Sequence, residues 1–144
     1  MDISVGSAGP SVAKAGVIGV IDDEWDITQL YRDALLSSGF SVYAFTNPLI
    51  ALEHFKVNCN SYVVIISDLR MPGMDGIELI KKVKAINPDI RALLITAFEV
   101  EDSIFHEYKK GNLIDYILRK PITMKNLVTE VENQVKIQQV QEQK

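Results

Sequence analysis

Apolar positions along this chain fall into short unbroken runs that alternate with spaced stripes. Residues 16–21 (GVIGVI), 41–45, 62–66 (YVVII), 90–95 and 113–118 form the runs, rich in β-branched and aromatic side chains. Runs of this length suit strands buried on both faces, as in a parallel sheet, better than half-wet edge strands. Between the first two runs, Ile27, Leu30, Tyr31, Ala34 and Leu35 recur at i, i+3, i+4, i+7 and i+8, the spacing of a helix with one buried face, and Gly39 ends it. Asn47-Pro48 reads as an N-cap followed by proline at the first helical position, opening a short helix through Ala51, Leu52 and Phe55. Ile77, Ile80 and Val83 mark a third helix that stops before Asn87-Pro88, and 101–110 a fourth, apolar at Ile104, Phe105 and Tyr108. Thr123 caps a last helix carrying Leu127, Val128, Val131 and Val135, which fades into a Gln-rich end. Five strands alternating with five helices predict one α/β domain, a parallel sheet covered on both faces through right-handed crossovers.

The ends of the chain lie outside that pattern. Residues 1–14 are small, Gly- and Ser-rich and aperiodic, and read as a flexible leader; 138–144 read as a polar helix end or linker. No repeat and no second domain separate them, so 15–137 forms the functional unit.

Composition narrows the function by exclusion. A net charge of −4 argues against sequence-independent DNA binding by this domain alone. No apolar run approaches the ~20 residues of a membrane helix. Cys59 is the sole cysteine, which excludes an internal disulfide and fits a reducing, cytoplasmic setting.

Candidate chemistry gathers where the predicted strands end. Asp22 and Asp23 follow the first strand, Asp68 the third, Thr96 the fourth and Lys120 the fifth. In a doubly wound sheet these ends share one edge, where ligands bind. Three crowded carboxylates repel one another unless a cation is bound, and an all-oxygen set suits Mg²⁺. A hard cation, a free carboxylate, a hydroxyl and an ammonium together suit phosphoryl transfer to an aspartate. Helix capping and turn formation are the bland readings for each Asp alone; the set at successive strand ends argues against them.

These residues carry a family resemblance. VIGVIDDE, VIISDLRMPGMDG, LLITA and LRKP, each ending a strand and in this order, resemble the receiver domain of two-component response regulators over roughly residues 15–137. The resemblance implies a flavodoxin-like (βα)5 fold with strand order 2-1-3-4-5. It implies that Asp68 accepts a phosphoryl group from a sensor histidine kinase or a histidine phosphotransfer protein. Asp22, Asp23, Asp68 and the Arg70 carbonyl would hold Mg²⁺, Thr96 would bond a phosphoryl oxygen, and Lys120 would pair with Asp68 and then with the phosphate. The Lys120-Pro121 bond would be cis. Phosphorylation would draw in Thr96 and shift the 101–110 helix and the fifth strand, changing which proteins the domain binds.

Two departures from the family pattern stand out. The aromatic switch residue usually lies three positions before the lysine, where this chain has Ile117; a bulge would be needed to bring Tyr116 there. Trp25 stands where proline is frequent and marks either a partner surface or packing over its own loop. Arg70 and Phe98 flank the pocket two residues after Asp68 and Thr96, and are expected to tune the rate of dephosphorylation. The Lys81-Lys82-Lys84 cluster reads as a solvated helix face, and Val131, Val135 and Val140 as a stripe able to support a phosphorylation-dependent homodimer.

Other functions meet specific objections. A metal-dependent phosphohydrolase would want a second acid two residues after Asp68, where Arg70 stands. Flavin binding would want a phosphate loop after the first strand, where Asp22-Asp23-Glu24 repels phosphate. A contact-only receiver would not need the complete acidic set. The expectation is a non-enzymatic phosphoacceptor domain, either standing alone and docking on a downstream protein target or cut from a longer DNA-binding or enzymatic regulator.

Overall fold

A computed structural model describes residues 3–6, 16–97, 111 and 113–142, with side chains described within 16–141. Along the chain run β1 (Ile3–Gly6), β2 (Val17–Ile21), α1 (Trp25–Ser37), β3 (Ser41–Phe45), α2 (Pro48–Asn58) and β4 (Tyr62–Asp68). α3 (Gly76–Ile86), β5 (Arg91–Thr96), β6 (Tyr116–Arg119) and α4 (Met124–Glu142) complete the described elements. The sheet order is β1-β3-β2-β4-β5-β6. Strands β2 to β6 are all parallel, and they reproduce the expected 2-1-3-4-5 order of a flavodoxin-like sheet. The helix predicted at 101–110 and Phe98 lie outside the described residues.

Alternation along the strands divides the core into two layers. Ile21, Phe45, Ile65 and Leu94 face α2 and α3, whereas Ile18, Val42, Ile66 and Ile95 face α1 and α4. Chain ends of the helices follow local chemistry. Asn47 Oδ1 accepts the Leu49 N–H at 2.9 Å to cap α2, and Asp75 Oδ1 accepts the Glu78 N–H at 2.8 Å to cap α3. α1 closes with Gly39 at φ 97°, as Phe40 N–H reaches Leu35 O and Gly39 N–H reaches Leu36 O.

Four features depart from the sequence expectation. Ile3–Gly6, assigned to an aperiodic leader, forms an antiparallel strand on β3, because pairing there needs only backbone and a free edge. Leu30 is 50% exposed: α1 buries Thr28, Tyr31 and Leu35, and Leu30 sits about 100° around the helix from Tyr31. Lys84 is not a solvated cation, since its Nζ lies 2.6 Å from the buried Asp115 carboxylate. Val131 and Val135 are core residues against the sheet, which leaves Val140 alone of that stripe exposed.

The last strand begins later than its apolar run. Asp115 accepts the Ala92 N–H through Oδ2 at 2.8 Å, so its side chain occupies the ladder position where a strand residue would pair. Regular pairing with β5 starts one residue on, at Tyr116 opposite Leu93.

Candidate functional site

Three loops leave the same edge of the sheet, after β2, β4 and β6, and their side chains converge. Carboxylate oxygens of Asp22, Asp23 and Asp68 all lie within 4.8 Å of one another. Lys120 Nζ stands 3.5 Å from Asp68 Oδ1 and 3.6 Å from Asp22 Oδ2. Four of the five residues expected from strand ends thus meet in one pocket.

Each is placed by a local device. Asp22 directly follows β2 with its N–H bonded to Phe45 O, and its Oδ1 accepts the Glu24 N–H at 2.9 Å, which orients the carboxylate. Asp68 ends a strand buried along nearly its whole length. Behind it Gly76 starts α3 with its N–H on Leu69 O at 2.7 Å. A β-carbon on Gly76 would collide with the Asp68 carbonyl oxygen, so only glycine lets α3 approach this closely. Lys120 is anchored through its own N–H, which donates to Thr96 O at 2.8 Å, and the Lys120-Pro121 bond is cis, as the resemblance implied.

Electrostatics follow from that crowding. Burial raises the Asp22 pKa from 3.8 to about 6; the Glu24 N–H opposes the shift, Asp68 adds to it, Lys120 opposes it and Asp23 adds to it. The Asp68 carboxyl is also raised, chiefly by burial, against the pull of Lys120. Burial disfavours the Lys120 ammonium, yet the Asp22 and Asp68 charges outweigh it and hold its pKa above the usual value. Asp22 Oδ2 is buried with no hydrogen-bond partner, and the nearest cation is the lysine at 3.6 Å. A buried carboxylate oxygen left this way, beside two further carboxylates, fits a hard divalent cation.

Other expected site residues are placed as follows. Thr96 is fully buried at the end of β5. Arg70 is exposed in the loop after Asp68. Tyr116 is not brought to the switch position: the β5–β6 register runs unbroken from Leu93–Tyr116 to Thr96–Arg119, so the required bulge is absent. Alternation puts Ile117 on the α2–α3 layer with Leu94 and Thr96, and Tyr116 on the opposite layer with Leu118.

Two residues not expected at the site from the sequence, Tyr31 and Ser67, border it. Tyr31 reads as a core residue of α1, yet it lines a groove of about 490 Å³ together with Glu24, Leu30, Lys120 and Met124. Trp25, 47% exposed at the start of α1, is not packed away over its loop. Ser67 is wholly buried and its Oγ donates to Asp68 O at 2.9 Å. A helical stripe marks Tyr31 as inward-facing, but only the crossing of α1 over the β6–α4 loop makes it a wall of the site.

Residues 18–132 match the response regulator receiver domain family. The chain is 33% identical over 130 residues to the DNA-binding transcriptional regulator NtrC of Escherichia coli (strain K12), covering 90% of this chain and 27% of that protein. It is 30% identical over 97 residues to sporulation initiation phosphotransferase F of Bacillus subtilis (strain 168), covering 67% of this chain and 77% of the relative. A receiver domain crystal structure from Clostridium thermocellum superposes with a TM-score of 0.79 at 30% identity, covering 87% of this chain and 98% of that one. The chain therefore spans about a quarter of the NtrC relative's length. With a doubly wound sheet, an acidic pocket at its strand ends and that match, the chain belongs to the response regulator receiver domains, the phosphoacceptor signalling modules of two-component systems.

Proposed function

We propose that Asp68 is the phosphoacceptor and that Asp22, Asp23, Asp68 and the Arg70 carbonyl hold Mg²⁺. The observation that carries this reading is the meeting of three carboxylates within 4.8 Å with Lys120 Nζ 3.5 Å from Asp68. Bound Mg²⁺ neutralises charge on the phosphoryl oxygens. An Asp68 carboxylate oxygen attacks phosphorus, the phosphorus–nitrogen bond of a phosphohistidine breaks, and its electron pair returns to the imidazole. Lys120 releases its pairing with Asp68 as the phosphate forms and then binds a phosphoryl oxygen, while the Thr96 hydroxyl donates to another. Asp68 needs no general base, because it reacts as the carboxylate.

The partner is a sensor histidine kinase or a histidine phosphotransfer protein, and the setting is cytoplasmic. Its docking surface is the groove beside Lys120, with exposed Leu30 on one wall, extended by exposed Trp25 on the same helix. The readout is altered binding of a downstream protein; Ile117 rather than Tyr116 takes the switch position, so the switch works without an aromatic rotamer. Similarity to a DNA-binding regulator several times longer favours a receiver that controls an attached output domain. Arg70 and Phe98 set the lifetime of the phosphorylated state.

Intact mass after incubation with Mg²⁺ and acetyl phosphate tests the chemistry. One phosphoryl group is expected on the wild type, and none on Asp68→Asn or without Mg²⁺. Phosphorylation of the Asp68→Asn chain would move the acceptor elsewhere and overturn the assignment.

A further inference from the structure

β3 would be the outer strand of this sheet but for four residues. Ile3 stands opposite Phe45, Ser4 opposite Ala44, Val5 opposite Tyr43 and Gly6 opposite Val42, in antiparallel register. These residues lie ahead of position 18, where the match to the receiver family begins. β1 is thus laid onto the family sheet from outside the matched segment.

The peptide groups of β3 divide between its two neighbours. Phe45 O accepts the Asp22 N–H at 3.2 Å, so Ser41, Tyr43 and Phe45 direct their backbone groups at β2. Alternation then turns the N–H and C=O of Val42 and Ala44 toward β1. Without β1 those four groups would face solvent on an open edge.

Nothing in β3 itself protects that edge. Ser41-Val42-Tyr43-Ala44-Phe45 has no charge and no proline, and its pairing on both sides runs without a bulge. Charges, prolines and bulges are the devices that keep edge strands from joining other chains. The opposite edge is different: β6 has four residues and ends in exposed Arg119. β1, four residues ending in glycine, is the only cover β3 has among the described residues.

We propose that β1 is a removable cap and that the β3 edge beneath it is a pairing surface for the β3 of a second copy of this chain. The antiparallel direction of β1 shows which orientation the edge accepts. Two β3 strands paired antiparallel are related by a two-fold axis, a closed arrangement that joins two sheets into one. Centred on Tyr43, the pairing sets Val42 of each copy opposite Ala44 of the other, matching the backbone groups that β1 satisfies. Release of β1 therefore converts a monomer into a symmetric dimer.

Sedimentation velocity on the full chain and on Ser4→Pro/Gly6→Pro tests this. Those residues face Ala44 and Val42, so the prolines remove the two β1 donors aimed at β3. The wild type is expected to be monomeric and the double variant a concentration-dependent dimer whose Val42 and Ala44 amides still exchange slowly. A synthetic peptide of residues 2–7 should return the variant to monomer. Tyr43→Lys added to the variant should do the same, by setting like charges face to face at the axis. A double variant that stays monomeric at every concentration would overturn the proposal. So would a dimer whose Val42 and Ala44 amides exchange freely, or one indifferent to the peptide and to Tyr43→Lys. A wild-type dimer lost in the double variant would indicate exchange of β1 between copies and would overturn it equally.

Discussion

Asp115 and Ala92 are joined by two hydrogen bonds: the Asp115 N–H donates to Ala92 O at 2.9 Å, and Asp115 Oδ2 accepts the Ala92 N–H at 2.8 Å. The same carboxylate holds Lys84 Nζ of α3 at 2.6 Å and Arg91 Nη1 at 3.2 Å. Arg91 in turn donates to Gln134 of α4 at 2.8 Å. One side chain thereby ties the root of β6 to the helical layers on both faces of the sheet, at the end away from the acidic pocket.

Removing that carboxylate should be costly. Asp115→Ala removes the acceptor of the Ala92 N–H and the counter-charge of two nearly buried cations, a loss of about 3 kcal/mol by comparison with other broken buried pairs. Urea unfolding at neutral pH measures it. A loss below about 1 kcal/mol, the scale of an exposed surface pair, would show that the network is solvated in solution.

Gly76→Ala tests how closely α3 must approach Asp68. The added methyl meets the Asp68 carbonyl, with Leu94 Cδ1 and Ser67 Oγ each 3.0 Å away. Backbone has to move, at a cost of about 1 to 3 kcal/mol, and Asp68 moves with it. Both the melting temperature and the yield of acetyl-phosphate labelling should fall. Gly73→Asn makes a control, since Gly73 has φ 87° in the same loop and only ordinary contacts around it, and Asn tolerates that conformation. Equal losses in the two variants would remove the special role given to Gly76.

The acidic pocket should trade metal-free stability for metal binding. Asp22→Asn removes a buried charge held at a raised pKa, so the metal-free chain should gain about 1 to 2 kcal/mol at neutral pH. Mg²⁺ should then no longer raise the melting temperature, whereas the wild type should be stabilised in proportion to ln(1 + [Mg²⁺]/Kd). The pH dependence has a definite sign. Because the folded pKa is about 6 and the reference 3.8, the protonated carboxyl favours the fold below the lower value, and that contribution is lost as pH rises through about 6. An Asp22→Asn chain less stable than the wild type without metal would contradict this.

His54 imposes the opposite trend. Burial lowers its pKa below 6.5. The ring packs on Tyr43 and Phe45, with Nδ1 2.9 Å from the Tyr62 hydroxyl. The unfolded chain takes up this proton first, so the stabilising effect of the neutral ring is present above 6.5 and is lost as pH falls through the folded value. Comparing urea midpoints of wild type and His54→Gln at about pH 7.5 and about pH 5.5, either side of the free imidazole pKa, isolates the effect. The wild type should lose ground to the variant at the lower pH; parallel behaviour would mean the ring accepts its proton without strain on the fold.

The sequence by itself determined the five parallel strands and the four residues that meet at their ends, while the strand order was implied by the family resemblance. Buried parallel strands must be apolar throughout, so five of them are legible as runs, and their ends are the one place where Asp22, Asp23, Asp68 and Lys120 interrupt apolar sequence. What only the tertiary structure decided depends on contacts between segments distant along the chain. Lys84 looks like a surface cation until Asp115, thirty-one residues on, meets it. Tyr116 and Ile117 are equally plausible inward residues until the register with Leu93 and Leu94 assigns them to opposite faces. Ile3–Gly6 carries no periodic signal because a four-residue strand is defined by the edge it pairs with, and that edge exists only once β3 has joined the sheet.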